Sequence, residues 1–373
     1  MRVRGSGAAA AAVMLALAAC GGGSDDKASG NGGTATTVAA GLTSKQVFDK
    51  ARPATVALYG RQGESTVGGT GVIFDAERGL ILTNAHVVGG VAALKARIND
   101  ETEIAARVLA SAPCDDVAVV ELTTVPGDLV AVKLGSSAGV ENQDEVTALG
   151  YPASFADPAT QKIVSTIGTV QSPDVVAVPD DGLPRFPSTI QHSATINPGN
   201  SGGPLLNDRA ELVGLNTLRN VGGDNDVQGQ YYAISIDHIK TLLPDLEAGT
   251  SRANMGWDIA PFSQVPLSQV FENTGYGTAE EGVQADQLLA ENGVDGLFVF
   301  GVEPNSPAAE ANLEGGDLIT AMKGTPVTSV PEACDVLLSA SRGETLALEG
   351  RYLTSGGPER QFGEQWRTNL VVK

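Results

Sequence analysis

Residues 196–205 read Ile-Asn-Pro-Gly-Asn-Ser-Gly-Gly-Pro-Leu, so that Ser201 lies among three glycines and two prolines. The stretch fits two glycine-rich serine patterns, G-x-S-x-G and G-x-S-G-G-P. A third interpretation is a tight turn without chemistry. The first two interpretations require different folds, so the rest of the chain has to discriminate between them.

The region around Ser201 contains many short runs of β-branched residues that are bounded by Gly, Pro, Asn or Asp. Such runs in succession predict an all-β barrel or sandwich. Helical spacing of apolar residues first occurs at 235–246, which predicts one helix at the end of this region. The predicted strands cover residues 54–60, 69–75, 80–88, 116–122, 145–152, 166–172 and 211–217.

The order of the candidate residues separates the two serine patterns. An α/β-hydrolase requires alternating strands and helices and the order Ser, Asp or Glu, then His. Only His238 follows Ser201, and it lies in the helical pattern. A chymotrypsin-like enzyme requires the order His, Asp, Ser. His86 at a strand end, Asp116 before an apolar run and Ser201 provide that order.

With these residues in this order, the chain resembles the bacterial HtrA-type (Deg-type) trypsin-like serine proteases that carry a PDZ domain. The resemblance covers nearly all of residues 45–323, except 262–294. It implies a mainly β fold, with a chymotrypsin-like protease domain of two six-stranded β-barrels followed by a small α+β PDZ domain. The matching stretches are GGTGVIFD (68–75), LILTNAHVV (80–88), DVAVV (116–120), INPGNSGGPLLN (196–207) and ELVGLNT (211–217).

The resemblance also implies an activity, the hydrolysis of peptide bonds in misfolded or exposed extracytoplasmic proteins, in quality control or a stress response. No cofactor and no metal are implied. The alternative function is a PDZ peptide-binding sensor, or a chaperone-like protein, with an inactive or latent protease domain. The family often forms homotrimers, although the sequence holds no residue pattern that is specific for a trimer.

Serine is a weak nucleophile at neutral pH and requires a base within hydrogen-bond reach. The resemblance gives Ser201 the role of nucleophile and His86 that of base. Asp116 is expected to orient the imidazole and to stabilise its charged form. Asp115 is the rival carboxylate, but neighbouring side chains of a strand point to opposite faces, and the family pattern has the aspartate directly before the apolar run.

The backbone around Ser201 is expected to form an oxyanion hole. The N–H groups of Gly199 and Ser201, with Asn200 between them, should converge on the substrate carbonyl oxygen, because a residue without a Cβ allows a close approach. In digestive relatives an Asp at the place of Asn200 pairs with a newly cut N-terminus. Asn has no charge for that pair, so we predict activity without propeptide cleavage.

The segment before the nucleophile should shape the pocket for the residue that precedes the scissile bond. Thr195 and Ile196 are the candidate pocket residues, and no acidic group accompanies them to pair with Lys or Arg. We therefore predict a preference for small or medium aliphatic residues. His192 and His238 lie outside any chemical motif and are interpreted as structural.

Residues 302–324, VEPNSPAAEANLEGGDLITAMKG, resemble the core of a PDZ domain, whose groove binds a peptide C-terminus as an added strand. The hydrophobic-Gly-hydrophobic pattern of the carboxylate-binding loop falls on Met255, Gly256 and Trp257, although an aliphatic residue is usual in place of Trp257. The insertion at about 262–294 is long enough to cover the groove. Peptide C-termini are therefore expected partners.

The N-terminus has the pattern of an exported lipoprotein. Two arginines precede an apolar run at 8–19, which predicts a signal peptide at 1–19. Leu-Ala-Ala-Cys at 17–20 resembles a lipobox, so Cys20 is expected to carry a lipid anchor to the cell membrane. The alternative is a secreted or periplasmic protein. Residues 20–43 are rich in Gly, Ser, Thr and Ala and predict a flexible tether.

The domain boundaries follow from these assignments, with a protease domain at 44–248 and a PDZ domain at 252–373. The formal net charge of −20 argues against a nucleic-acid partner, because binding to phosphates depends on clustered Lys and Arg. Cys114 and Cys334 have no metal-ligand spacing and lie in different predicted domains. We expect them to be two free thiols rather than a disulfide.

Overall fold

The computed structural model describes residues 41–62, 65–152, 160–178, 182–219, 229–262, 266–355 and 360–373. The predicted signal peptide, the lipid attachment at Cys20 and the tether up to residue 40 lie outside the described residues. The strands are β1 Thr55–Gln62, β2 Ser65–Asp75, β3 Leu80–Thr83, β4 Ala92–Ile98, β5 Thr102–Ala112, β6 Val117–Leu122, β7 Lys133–Leu134, β8 Glu145–Gly150, β9 Val164–Ala177, β10 Phe186–His192, β11 Pro204–Leu206, β12 Glu211–Arg219, β13 Tyr231–Ser235, β14 Trp257–Pro261, β15 Leu297–Val302, β16 Asp317–Met322, β17 Thr325–Pro326, β18 Thr345–Tyr352 and β19 Gln365–Val371. The helices are α1 Ser44–Ala51, α2 Ala85–Val88, α3 Ile236–Glu247, α4 Leu267–Thr274, α5 Ala279–Asn292, α6 Pro307–Glu310 and α7 Val330–Ser339.

The first six strands close into a barrel. Their order is β1-β2-β3-β6-β5-β4, and the ring closes because β1 pairs with β2 on one side and with β4 on the other. Side chains from the β-branched runs fill its core, including Val56, Ile81 and Val119, which are fully buried. The barrel places α2 at the end of β3 and a 3₁₀ turn, Pro113–Asp115, directly before β6.

Strands β8 to β13 form the second barrel. Their order is β8-β9-β10-β13-β12-β11, and β11 closes the ring by pairing with both β12 and β8. Strand β7 pairs in parallel with β12 outside this ring. The predicted double six-stranded barrel is therefore confirmed.

Helix α3 joins the two barrels. It begins directly after β13 of the second barrel, and its buried residues Ile239, Leu242 and Leu246 belong to the same apolar cluster as the core of the first barrel. The helix predicted at 235–246 thus follows the last strand of the second barrel and brings His238 against the first barrel.

The C-terminal region forms an antiparallel sheet in the order β14-β15-β16-β18-β19, with β17 paired to β16. Helix α7 packs on one face of this sheet, in a cluster with Leu297 and Val299. Side chains of a strand alternate between faces, and Phe298 accordingly belongs to a second cluster on the other face. The sheet is therefore covered on both sides.

The insertion at about 262–294 covers the second face. Helices α4 and α5 pack Phe271 and Leu289 against Phe298 of the sheet. In the described residues this helical pair packs on the Phe298 face of the sheet, opposite the face that α7 covers. The segment therefore buries a sheet face that would otherwise expose large apolar side chains.

The two cysteines of the folded region are bonded to each other. Cys114 and Cys334 form a disulfide with a Cα–Cα distance of 5.5 Å, across a sequence separation of 220 residues. The prediction of two free thiols is wrong. The sequence could not reveal the bond because it depends on how the C-terminal sheet packs against the first barrel.

Across the described residues, none of the helices combines the length and apolar composition that are needed to cross a bilayer.

Candidate active site

The candidate catalytic residues come from both barrels. His86 lies on α2 and Asp116 follows the 3₁₀ turn, both in the first barrel. Ser201 lies between β10 and β11, and Thr217 lies on β12 of the second barrel. The structure thus brings His86, Asp116 and Ser201, which span 115 positions of the sequence, to one boundary between the barrels.

Asp116 holds His86 through two kinds of contact. Its carboxylate lies 2.9 Å (Oδ1) and 3.0 Å (Oδ2) from His86 Nδ1, and Oδ1 also accepts from the backbone N–H of His86 at 3.0 Å. These contacts fix a proton on Nδ1 and leave Nε2 to exchange a proton with substrate. The His86 side chain is 40% exposed, so the ring remains accessible.

The environment of His86 sets its proton affinity. Burial lowers the pKa of the imidazole, but the charge of Asp116 and its hydrogen bond together raise it by more, so that the pKa lies above the ordinary 6.5. An imidazole with this pKa can take a proton from a hydroxyl near neutral pH and return it to a leaving group.

Asp116 itself is held in an uncommon backbone conformation. Its φ of 53° and ψ of 41° lie in the left-handed region, where Asp is better tolerated than most non-glycine residues. Asn84 Nδ2 donates to the Asp116 carbonyl at 2.9 Å, and Thr217 Oγ1 donates to Oδ2 at 2.7 Å. The carboxylate is thereby shared between the imidazole and a hydroxyl from the other barrel.

The Ser201 hydroxyl donates to the Thr217 carbonyl, with an Oγ–O distance of 3.3 Å. Among the hydrogen bonds between described residues, none joins Ser201 to His86. Catalytic hydrogen bonds are often long or misaligned without substrate and tighten when substrate binds. Attack would therefore require the Ser201 hydroxyl to turn from Thr217 to His86.

The turn before Ser201 leaves two backbone donors free. Asn200 N–H donates to the Asn197 carbonyl at 2.9 Å, and Gly199 has a φ of 95°, as in a type II turn with Pro198 and Gly199 at its centre. Within the described part of the chain, no group accepts from the N–H of Gly199 or of Ser201. Asn200 has no such free N–H, so of the three expected residues it is not a third backbone donor.

Gly202, which directly follows Ser201, allows this turn to lie close to β2 of the first barrel. A Cβ at this position would lie 2.1 Å from the Thr70 carbonyl oxygen, and the φ of 82° is also unfavourable for other residues. Thr70 N–H donates to the Ser201 carbonyl at 2.9 Å, and Thr70 Oγ1 donates to the Gly199 carbonyl at 2.7 Å. The loop around Ser201 is therefore fixed from the first barrel.

The expected pocket residues have different environments. Thr195 is exposed, and its carbonyl accepts from Thr166 Oγ1 at 2.8 Å. Ile196 is 4% exposed and packs in the core of the second barrel. Neither residue brings an acidic group toward Ser201. His192 is fully buried beside the Tyr231 ring, as a structural residue would be.

The expected carboxylate-binding loop of the PDZ region lies before β14. Met255 is buried and Trp257 half-buried, while Gly256 has a φ of 67°. Gly256 N–H donates to Asn254 Oδ1 at 2.9 Å, so this donor is already used within the loop. Strand β14 is an edge strand of the described sheet, so a peptide strand could add beside it.

Sequence reasoning missed two neighbours of Asp116. Thr217 ends the run ELVGLNT, and Asn84 lies within LTNAHVV, but both were treated only as parts of strands. A polar residue at the end of an apolar strand, close to a chemical motif, is the signal that could have found them. The sequence also did not reveal the partner of the rival carboxylate, Asp115. Its Oδ1 lies 2.9 Å from His238 Nε2, whereas Asp116 is the aspartate that contacts His86.

Comparisons with known proteins identify two domain types along the chain. The chain matches the models of a trypsin-like peptidase domain at residues 69–215 and of a PDZ domain at residues 272–351. The periplasmic serine endoprotease DegP of Salmonella typhimurium is 30% identical over 272 residues, which cover 72% of this chain and 51% of DegP. The serine protease Do-like HtrA of Bacillus subtilis is 32% identical over 286 residues, which cover 75% of this chain and 60% of that protein.

The chain thus spans between half and two thirds of the length of these two relatives. A solved structure, the HtrA-type protease AlgW with a tripeptide, matches with a TM-score of 0.49 and 23% identity, covering 88% of this chain and 96% of the other. The chain thus contains a trypsin-like peptidase domain followed by a PDZ domain, and over these domains it is similar to serine proteases of the HtrA and DegP type.

Proposed function

We propose that this protein is a serine endopeptidase that cleaves unfolded or exposed protein segments outside the cytoplasm. The observation that carries the proposal is the contact of His86 Nδ1 with Asp116 at 2.9 Å, with Ser201 and its free backbone donors on the facing barrel. A DegP relative is named a periplasmic serine endoprotease, which agrees with this activity and location.

In the proposed reaction Ser201 Oγ attacks the carbonyl carbon of the scissile bond, and its proton passes to His86 Nε2. Gly199 and Ser201 N–H bind the oxygen as it becomes negative, and Asp116 stabilises the imidazolium. The C–N bond then breaks, and His86 gives the proton to the leaving amine. Water attacks the acyl-enzyme, returns a proton through His86 and restores Ser201.

An active-site probe tests this proposal. A fluorophosphonate should label the full-length protein, and both labelling and casein cleavage should disappear in Ser201→Ala. Ser188→Ala, on β10 and outside the site, serves as the matched control and should behave as the wild type. A wild-type protein that is folded, unlabelled and unable to cleave casein would instead favour the sensor or chaperone-like function.

The pocket composition supports cleavage after small or medium aliphatic residues. Thr195 and Ile196 provide no carboxylate that could pair with a basic side chain. A peptide library with all residues at the position before the scissile bond tests this preference. Cleavage confined to Arg or Lys would contradict it.

The PDZ domain supports a second part of the proposal, the capture of peptide C-termini beside β14. A C-terminal carboxylate would take the Gly256 N–H, which Asn254 holds in this structure. Binding of a peptide with a free C-terminus, and weaker binding of its C-terminal amide, is the expected result. Equal binding of both peptides would exclude a carboxylate-binding loop at Met255–Trp257.

Attachment to the membrane is proposed from the sequence around Cys20. The anchor would be supported by lipid mass on the N-terminal peptide. It would also be supported if Cys20→Ser lost that mass and was released from membranes.

Sedimentation of the purified protein tests the homotrimer that the resemblance implies.

The neutral side chain of Asn200 supports activity of the full-length chain without N-terminal cleavage. An inactive chain that gains activity only after N-terminal trimming would contradict this proposal.

A further inference from the structure

Three consecutive residues are held by three different parts of the molecule. Cys114 is bonded to Cys334 on α7 of the PDZ domain, and Asp115 Oδ1 contacts His238 Nε2 on α3 at 2.9 Å. Asp116 then contacts His86. The short segment before the catalytic strand is thus anchored twice before it reaches the site.

The Asp115 carboxylate has few partners and little access to water. Asp115 is 4% exposed, and a buried charge is costly unless it is paired. Its Oδ1 has the His238 ring nitrogen at 2.9 Å, whereas the nearest cation to Oδ2 is Arg252 Nη1 at 3.8 Å, which is too long for a hydrogen bond. His238 therefore makes the close contact that fixes this carboxylate.

The backbone of Asp116 requires such support. A non-glycine residue in the left-handed region persists where its surroundings over-determine the conformation. The turn is closed by Asp116 N–H, which donates to the Pro113 carbonyl at 3.1 Å, and this single bond spans Cys114 and Asp115. The anchors on those two residues thus act on the conformation that aims the Asp116 carboxylate.

The PDZ domain contributes to the same support. The Cys114 side chain is 3% exposed and belongs to the apolar cluster of the PDZ domain together with Met255 and Leu337. Near the end of β5, Ser111 Oγ accepts from Asn254 Nδ2 at 2.9 Å. The segment that leads to Asp116 is therefore packed into the PDZ core and tied to the residue before its binding loop.

We propose that Asp115 with His238, and Cys114 with Cys334, are positioning elements of the protease, which hold the turn at 113–116 so that Asp116 orients His86. The PDZ helix α7 is then a covalent part of the support of the catalytic aspartate. This inference rests on the proposed function for its kinetic consequences, but its geometric consequence at His86 can be measured without activity.

The first test replaces His238. His238→Leu removes the donor to Asp115, whereas His238→Gln keeps an N–H at the same distance along the side chain. We expect His238→Leu to lower kcat/KM about tenfold, mainly through kcat, and to move the acid limb of the pH profile to lower pH. His238→Gln should restore most of both. Equal behaviour of the two variants, or an unchanged acid limb in His238→Leu, would overturn the role of this pair.

The second test opens the disulfide. A dithiol such as dithiothreitol gives two electrons to the bond, becomes a cyclic disulfide and leaves one protonated thiol on each of Cys114 and Cys334. Complete reduction is verified by the mass of the alkylated, denatured chain. We expect about a tenfold loss of kcat/KM, and the same loss in Cys114→Ser/Cys334→Ser without dithiol. That double variant should not respond to dithiol. Full activity of the reduced protein would overturn the role of the disulfide.

A readout at His86 separates this inference from the proposed function. The chain has three histidines, so their ring signals can be assigned by NMR in the full-length protein. Weaker contact with Asp116 should lower the pKa of His86 in His238→Leu and in the double cysteine variant, with the PDZ domain still binding peptide as proof of folding. A pKa shift without any hydrolysis by the wild type would refute only the endopeptidase. Hydrolysis by the wild type with an unchanged His86 pKa in the variants would refute only this inference.

Discussion

At Asp116 the candidate active site depends on donors from both barrels. Asn84 and His86 of the first barrel, and Thr217 of the second, all donate to this one residue. Because the Asp116 carboxylate is buried, its charge is stabilised mainly by His86 and Thr217, which donate to its oxygens, whereas Asn84 donates to the backbone carbonyl. A change at any one donor should therefore affect how the carboxylate holds the imidazole.

The hydroxyl of Thr217 offers the cleanest test of that dependence. Thr217→Val keeps the shape but leaves Asp116 Oδ2 without its donor at 2.7 Å, whereas Thr217→Ser keeps the donor. We expect about a tenfold lower kcat in Thr217→Val, with KM nearly unchanged, because the lost bond costs on the order of 1–2 kcal/mol. Steady-state kinetics with a peptide substrate measure both constants. Equal kcat values in the two variants would show that the hydroxyl is dispensable.

The proton on His86 gives a second prediction at the residue scale. Below its pKa the imidazole is already protonated and cannot accept the Ser201 proton, so kcat/KM should fall as the pH decreases through that pKa. Since Asp116 raises the pKa of His86 above 6.5, the acid limb of the wild type should have its midpoint above 6.5. Asp116→Asn should move the midpoint down and lower the rate at every pH. A wild-type midpoint well below 6.5 would mean that Asp116 does not stabilise the charged ring.

At the scale of elements, the sequence predicted those parts that a local pattern determines. The β-branched runs became strands of two barrels, and the periodic apolar residues at 235–246 became α3. Helix α5 lies in the segment described from the sequence only as an insertion, although Thr278 and Glu281 form a capping box that marks its start. The Cys114–Cys334 bond and the Asp115–His238 pair had no local signal, because each one joins elements through tertiary packing.

The fully buried His192 on β10 predicts a pH dependence of the free energy of unfolding. Burial lowers the pKa of His192 to about 4, below the ordinary 6.5 of an unfolded chain. The folded state therefore binds fewer protons between these values, and its stability is complete above pH 6.5 and decreases as the pH falls toward 4. At about 1.4 kcal/mol per pH unit, the loss amounts to about 3 kcal/mol.

Urea unfolding at several pH values measures this loss. His192→Leu should be less sensitive to acid than the wild type between pH 6.5 and 4, even where it is less stable at pH 7. Ser188→Ala on the same strand serves as the control, because it removes no imidazole and should leave the acid sensitivity in place. An identical pH slope in the wild type and in His192→Leu would contradict a neutral, buried His192.

At the scale of the whole molecule, the net charge affects how fast a charged substrate meets the protein. The chain has 44 acidic and 24 basic residues, and no Lys or Arg occurs between Arg252 and Lys323. A protein of this net charge attracts cationic chains and repels anionic ones over distances of about a Debye length, roughly 10 Å at 0.1 M salt. Unfolded substrates of opposite charge should therefore meet the enzyme at different rates.

This difference should depend on salt. For an unfolded cationic protein we expect kcat/KM to fall severalfold when the NaCl concentration rises from about 0.02 to about 0.2 M, because screening weakens the attraction. For an unfolded anionic protein of similar length, kcat/KM should rise or stay constant. A short neutral peptide with the same cleavage site serves as the control, since its rate reports salt effects on the site alone. If both proteins respond as the neutral peptide does, the acidic surface has no part in substrate encounter, and selection rests on the pocket and on the PDZ domain.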